Sequence, residues 1–555
     1  MNRAASPAGR GRPDWLLEVG VGAAVAILYL LTLSGNHSEN EDSLNYVVRI
    51  RDDPHSQFFE GVHVIFDWVA WVVYEAVRAT GITRDPLRTI QVFDALLAAV
   101  TVSLLARILV RGGVSRAAAL VACGIFAFSY SFWRNSVEVD VRTLSAFALV
   151  LSLGAAWRAS ERPSVRSFAV LGAVNGLAVL AHVTNVLFAA VAITAMLLAR
   201  RGRPLAAVSR WFGAYAGTAC AIVVPVYALA AGVLGLDSPR KFWDWFTAET
   251  HGGSYGQINA GAVKSAVVGC GRALVGAHFA LALHSIRTFV HHHFPSKPLR
   301  EEFFFLRGFS TSLAEVLLAA SAVLALLLVA LAAQWLSRRV RLQLEGRTRR
   351  LAVLCVVWLV VYALLFTIWD PFNIELWYVF WLPAALLLAL PLAAGRTSRL
   401  RLGVGAAVVA GLLVVNLLGS QLPQRSNAKD YWRLRAAWYR THLHHDDLLI
   451  SYDYVWSTYL TYLTHAQVVD AQAIFKRMPR AAAAEEVRRI ADSSHARRVF
   501  LSGYDFDPYP GDPAACNDGM NTCANTALLR RLLLPRAHVV ARTSLERVWV
   551  YRRPA

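Results

Sequence analysis

The sequence has no Walker loop, no dinucleotide-binding glycine motif in a strand-to-helix context and no zinc-ligand spacing. Chemistry on soluble nucleotides and zinc-stapled folding therefore lack their usual residues. Internal repeats and low-complexity tracts are also missing, and the long apolar runs are almost free of charge. A transporter would show inverted repeats or paired charges inside its spans, and neither is present. Cysteine is scarce, six in 555 residues. Cys123, Cys220 and Cys355 lie in apolar runs and read as core, and Cys270 falls in a long loop. Cys516 and Cys523 flank a polar stretch, where a disulfide would form if that region faces an oxidising compartment. Acidic residues are the minority charge, 37 against 56 Lys+Arg, for a net of +19. The excess is mostly arginine in short clusters between apolar blocks, the mark of cytoplasmic loops and not of a nucleic-acid face.

What the sequence does have is apolar length. It is 56% hydrophobic, with a mean hydropathy of +0.42. Length alone would allow about three or four soluble domains, but blocks of about 20 apolar residues are the length that crosses a bilayer. About eleven spans are expected, near residues 15–33, 87–109, 117–132, 143–157, 167–181, 185–199, 211–233, 313–336, 351–369, 375–394 and 403–419. Residues 1–14 are basic and read as a cytoplasmic N-terminus. The run that follows is too long for a cleaved signal and has no small-x-small site after it, so it reads as a retained first span.

Residues 61–79 decide the topology. They are apolar enough to suggest another span, yet Val62, Ile65, Phe66, Val69, Val72, Val73 and Ala76 recur at helical spacing with His63, Asp67, Glu75 and Arg78 between them. An interfacial helix on the outer leaflet fits better. With that choice every arginine-rich short loop falls on one side. The transmembrane domain then covers 15–419, with outer-face loops at 34–86, 133–142, 234–312 and 370–374. Residues 420–555 have soluble composition, with short strands expected near 447–451 and 498–502 and a helix near 481–490. The fold class is an all-α polytopic membrane protein carrying a small C-terminal extracytoplasmic α/β domain, placed in the inner (plasma) membrane.

Chemistry is sought on the outer face. The first outer loop clusters Glu39, Glu41 and Asp42, with Tyr46 one helical turn after Asp42. A carboxylate there can act as general base toward a hydroxyl; the same acids also suit a merely solvated loop. The second outer loop holds Arg134, Glu138, Asp140 and Arg142 between aromatics. Its arginines suit a phosphate, and Glu138 and Asp140 suit sugar hydroxyls or, with Asp42, a divalent cation. Two acids and two arginines can equally neutralise one another. His182 stands at a turn between spans, where it either caps a helix or touches substrate. Lys264 and Arg272 in the long loop suit a lipid phosphate, while the basic-aromatic 240–246 and 303–307 stretches suit anchoring to headgroups. Three consecutive histidines, His291 to His293, cannot all face one metal. Asp370 and Glu375 edge the last short outer loop.

The motif order resembles the GT-C superfamily of multi-span glycosyltransferases, on its protein O-mannosyltransferase-like branch. The resemblance rests on Asp42…Tyr46 after the first span, the interfacial helix, Phe132-Trp133 with Glu138 in the second loop, Gly176-Leu177-Ala178…His182 and Trp369-Asp370-Pro371. It covers roughly residues 15–420. Two departures stand out: the order Glu41-Asp42 where many relatives have Asp-Glu, and Val141-Arg142 where a tyrosine often follows the second-loop acid. The resemblance implies a sugar, mannose being one option, carried on polyprenyl phosphate and moved with inversion to a hydroxyl of a protein, glycan or lipid. Asp42 would be the base, and Glu41, Tyr46, His63, Arg134, Glu138, Asp140, His182, Lys264 and Arg272 would bind substrate. No cofactor is implied for a monophosphate donor; a divalent cation is the alternative. A flippase of lipid-linked sugar and a non-catalytic envelope scaffold are the rival readings.

Overall fold

The computed structural model describes residues 14–200, 202–247, 259–293, 300–336, 346–393, 399–464, 466–506, 522–543 and 546–553. It divides into two compact units. The first takes residues 1–34, 54–283 and 309–422; the second takes 35–53, 284–308 and 423–555. The expected boundary at 419/420 thus falls at Leu422/Pro423. Two outer segments assigned from sequence to the transmembrane domain cluster with the C-terminal unit instead.

In chain order the helices are α1 Asp14–Leu31, α2 Glu41–Asp52, α3 Phe66–Ala79, α4 Pro86–Arg111, α5 Arg116–Ala127, α6 Tyr130–Val137, α7 Val141–Glu161, α8 Val165–Ala181, α9 Ala189–Arg200 and α10 Leu205–Val233. After them come α11 Pro239–Phe246, α12 Ala260–Leu274, α13 His284–His293, α14 Arg300–Phe305, α15 Thr311–Ala333, α16 Gly346–Trp369, α17 Tyr378–Ala389 and α18 Arg399–Asn416. Their starts are written in side chains that satisfy the first orphan N–H groups. Asp85 caps α4 ahead of Pro86, Ser115 caps α5, Asp140 caps α7, and Ser164 with Ser167 forms a reciprocal box on α8.

Among the described residues, seven helices are long and apolar enough to cross a membrane. A bent pair, α5 with α6, and three shorter apolar helices (Trp15–Leu31, Val165–Ala181 and Tyr378–Leu392) account for the other expected spans one for one. Only 11% of the apolar window of α10 and 17% of that of α15 is buried within the chain. Their Val224, Leu229, Leu326 and Val329 face outward, as they must where lipid is the solvent. Residues 61–79 give no span: helix α3 begins only at Phe66, because Gly61 runs against the backbone of Phe246 and the carbonyl of Val62 takes the N–H of Val183.

Close packing of α8 on α10 depends on glycine. A Cβ at Gly172 would overlap the carbonyl oxygen of Tyr215, and one at Gly176 would press on Ala219. The two glycines are four apart and so are their partners, the small-residue spacing that lets membrane helices touch backbone to backbone. The Tyr215 hydroxyl then donates to Asn175 Oδ1 at 2.5 Å.

The C-terminal unit carries a five-stranded sheet in the order β2-β1-β3-β5-β4. Its strands are β1 Leu448–Ser451, β2 Gln467–Asp470, β3 Val499–Leu501, β4 Ala537–Arg542 and β5 Arg547–Tyr551. Strand β1 pairs in parallel with β2 and β3, and β5 runs antiparallel to β3 and β4. The connecting helices are α19 Tyr431–Arg435, α20 Ala437–His442, α21 Tyr454–Leu463, α22 Ala471–Arg477, α23 Arg480–Ser493, α24 Gly503–Phe506 and α25 Thr522–Leu533. Leu448, Ile450, Val499 and Leu501 bury against Val487 and Ala491 of α23 and Leu529 and Leu533 of α25, each apolar side chain contributing about 1.5–3 kcal/mol. The expected small α/β domain is this one. Cys523 is disulfide-bonded, while its expected partner, Cys516, lies outside the described residues.

Candidate active site

The second outer loop expected at 133–142 is mostly helix. A 65° bend separates α5 from α6, and every residue of α6 is buried. Aromatic packing fixes it: Phe132 lies 4.1 Å from Phe126 and Trp133 stacks 5.7 Å from Tyr29, ring centre to ring centre. The Trp133 indole donates to Thr32 Oγ1 at 2.9 Å. Helix α6 thereby delivers Arg134 and Glu138 into a dry interior, both at most 1% exposed.

There the charges meet a residue from a distant segment. Arg134 donates to Glu375 Oε1 at 2.9 Å, and Arg142 reaches Glu375 Oε2 at 2.8 Å. Arg142 also donates to Asp140 Oδ2 at 2.8 Å, and Glu138 stands 3.8 Å from Arg134 Nε. The Asp140 N–H donates to Asp94 of α4 at 3.1 Å. Burial works to raise the pKa of Glu375, but the guanidiniums of Arg142 and Arg134 outweigh it and hold the carboxyl below its ordinary value. Glu375 is the hub of this cluster. Ions taken out of water need partners of opposite sign, and here two guanidiniums serve a cluster of four carboxyl groups, Glu375, Glu138, Asp140 and Asp94. These ion pairs join α6, the start of α7 and the segment before α17.

His182 and His63 come together beside this cluster. His182 closes α8, with Nδ1 2.8 Å from Thr184 Oγ1. Burial, then the neighbouring charges of His63 and Arg142, push its pKa down to about 3, so the ring is neutral at physiological pH. His63 is buried with Nε2 2.8 Å from Glu60. Below them a polar ladder runs among the helices: Asn185 donates to Ser145 Oγ at 2.8 Å, and the Tyr378 hydroxyl donates to the same oxygen at 2.9 Å. Lys264 sits exposed on α12, and Arg272 of the same helix lies 5.4 Å over the Phe372 ring. Sequence reasoning passed over Asp94 and left Glu375 at the edge of a loop. The signal for Asp94 was its standing as the one acid in α4.

The first-loop residues belong to the C-terminal unit. Glu41 opens α2, Asp42 is half-buried in its first turn, and Tyr46 is buried on the same face one turn later. The start of a helix favours an anionic side chain. Among the described residues no group of three His, Cys, Asp or Glu side chains is placed to hold a metal ion. Of the three consecutive histidines, His292 and His293 are exposed on α13.

Residues 87–205 match the family model described as the protein O-mannosyl-transferase TMEM260 N-terminal domain. That stretch covers nearly all of α4 and runs through α9, with Asp94, Arg134, Glu138, Asp140, Arg142 and His182. No curated protein matches the chain. Among solved structures the chain is similar to ArnT from Cupriavidus metallidurans bound to undecaprenyl phosphate, with a TM-score of 0.56 and 13% identity over 96% of this chain and 97% of that one. The same protein in the apo state gives 0.54 and 12% over the same shares. A partial overlap, TM-score 0.34 and 15% identity over 41% of this chain and 35% of the other, is with the S. cerevisiae protein O-mannosyltransferase Pmt1-Pmt2 complex bound to the sugar donor, and it carries no weight here. The likeness to ArnT gives the fold, and the family model likens residues 87–205 to the N-terminal domain of a protein O-mannosyl-transferase.

Proposed function

We propose that the protein moves a sugar from a polyprenyl-phosphate donor to an acceptor hydroxyl at the outer face of the plasma membrane, with inversion. The observation that carries the reading is the family-model match over residues 87–205, an O-mannosyl-transferase domain. It supports mannose as the first sugar to test. The lipid carrier is supported by the bound undecaprenyl phosphate named for ArnT, whose fold this chain shares. In the reaction the acceptor oxygen attacks the anomeric carbon while the bond from that carbon to the phosphate oxygen breaks. The electron pair leaves with the polyprenyl phosphate, and the hydroxyl proton passes to the Asp42 carboxylate. The donor is loaded from the membrane, and the C-terminal domain lies at the outer face. The acceptor is a protein, a glycan or a lipid.

The test is transfer from synthetic polyprenyl-phosphate-mannose, with other polyprenyl-phosphate sugars in parallel, to envelope extract in membranes holding the intact protein or Asp42→Asn. The variant should insert normally and lose transfer by about 10²- to 10⁴-fold, as removal of a catalytic base does. Full activity in Asp42→Asn sinks the base assignment. Activity with no lipid-linked sugar sinks the donor class.

A further inference from the structure

We propose that Asp430 of the C-terminal domain is the positioning residue for the loop that carries Asp42; this rests on the reading of Asp42 as base.

Asp430 is 1% exposed and comes from the stretch just after the last membrane helix. Its two oxygens do different work. Oδ1 accepts the N–H of Arg433 at 2.8 Å and caps α19. Oδ2 is turned away from that helix and accepts the N–H of His37 at 3.0 Å and the hydroxyl of Tyr459, on α21, at 2.9 Å. A capping role needs only one oxygen, which serine would supply. The second oxygen joins α21 to the first loop.

From His37 the path to Asp42 is short and stiff. The His37 carbonyl accepts the N–H of Asn40 at 3.1 Å, closing a tight turn. Asn40 is the N-cap residue of α2, and Asp42 is the second residue of that helix. Other bonds hold the same loop on the same stretch. The N–H groups of Gly35 and Asn36 both donate to the Gln424 carbonyl at 2.9 Å, and the Asn36 amide donates to the Lys429 carbonyl at 2.9 Å. A Cβ at Gly35 would overlap the carbonyl oxygen of Arg425, so only glycine allows that approach. At its far end α2 is tied by Arg51, whose guanidinium donates to the carbonyls of Thr461 and Tyr462 at 3.2 and 3.4 Å. These are orphan acceptors in the last turn of α21, where a cation is favoured. The far end of α2 is therefore tied to α21 through Arg51, and the loop that leads into α2 is tied to α21 through Asp430. The soluble domain acts as the frame that aims Asp42.

The substitution that separates this from a cap is Asp430→Ser, which keeps an oxygen for Arg433 and withdraws the one facing His37. In the intact membrane protein, with polyprenyl-phosphate-mannose as donor, kcat should fall about 10- to 100-fold while the donor KM stays within about twofold, the cost of a misaimed group. Hydrogen exchange should quicken in peptides covering 35–46 and stay unchanged in those covering β1 and β3. Tyr459→Phe, which removes only one partner, should give a smaller loss of the same kind, and Asp446→Asn, an exposed acid of the same domain, should give none. Unchanged kcat in Asp430→Ser overturns the proposal. So does a loss of activity matched by faster exchange throughout β1 to β5, which would make Asp430 a simple stability element. Should Asp42→Asn prove fully active, the base assignment falls, while the exchange result for the 35–46 loop still reports on the anchor itself.

Discussion

In the transmembrane unit Glu375 meets two guanidiniums, Arg134 at 2.9 Å and Arg142 at 2.8 Å. In the C-terminal unit Asp505, more deeply buried than Glu375, has no guanidinium on its carboxylate among the described residues. Its carboxylate accepts the N–H groups of Tyr452 and Asp453 and the hydroxyl of Ser451, at 2.9, 3.1 and 2.9 Å. Asp430 works in the same way. Among the described residues two buried carboxylates of the C-terminal unit repeat the ion-pair pattern, Glu546 with Arg435 at 2.8 Å and Asp447 with Arg498 at 2.7 Å. The difference lies in what each carboxylate holds. Around Glu375 it is side chains from segments remote in sequence, and the stabilisation is one charge offsetting another. Around Asp505 and Asp430 it is backbone, and the carboxylate sets the path of a loop.

The contrast is sharpest if the Glu375 charge is removed. Glu375→Gln keeps the shape and one acceptor but leaves Arg134 and Arg142 short of a counter-ion in a dry site. A loss of about 3–5 kcal/mol is expected, read from the unfolding midpoint of the purified protein in mixed detergent. A loss under about 1 kcal/mol would mean that water reaches these arginines and that the two regions do not differ as described.

Next in size is Asp470, which caps α22 through backbone N–H groups of Gln472 and Ala473. Burial lifts its pKa to about 6, those N–H groups opposing the lift. The folded state therefore holds this proton more tightly than the unfolded chain does. Stability conferred by the protonated form is complete below about pH 4 and is lost as pH rises through about 6, an effect of up to about 3 kcal/mol. Asp470→Asn keeps an oxygen for the cap and removes the charge. It should raise the thermal midpoint at pH 7.5 and leave it unchanged at pH 4. A midpoint that responds equally at both pH values would place Asp470 with the ion-paired carboxylates.

Much of the fold was legible because bilayer length and arginine placement are one-dimensional signals. The eleven apolar runs each became a helix, and the amphipathic spacing at 66–79 kept α3 from being taken as a span. The candidate site was legible only by residue type. Arg134, Glu138, Asp140 and His182 are marked by charge in apolar surroundings, but nothing local says that Glu375, some 240 positions on, is their partner. Asp94 was hidden inside a span, where a carboxylate is tolerated because the Asp140 backbone meets it. Asp430 was invisible for another reason. Its partners are a main-chain N–H and a tyrosine, and neither leaves a pattern in sequence. The grouping of residues 35–53 with the C-terminal unit had no signal either, since backbone bonds to Gln424 and Lys429 carry no residue code.

The smallest expected effect tests the second half of the contrast most finely. Ser451 ends β1 and is fully buried, with its hydroxyl donating to Asp505 Oδ2 at 2.9 Å. Ser451→Ala removes one donor and leaves Asp505 the N–H groups of Tyr452 and Asp453 and the Ser502 hydroxyl. A hydrogen bond to a charged group contributes about 1.5–3 kcal/mol, and with three donors remaining the loss should sit near the low end, about 1.5 kcal/mol. Because the carboxylate orders backbone, the change should appear locally, as faster hydrogen exchange at Tyr452 and Asp453 with little change in β3. If exchange instead rises across the whole sheet, Asp505 is a load shared by the core and not the clasp of one turn, and its kinship with Asp430 fails.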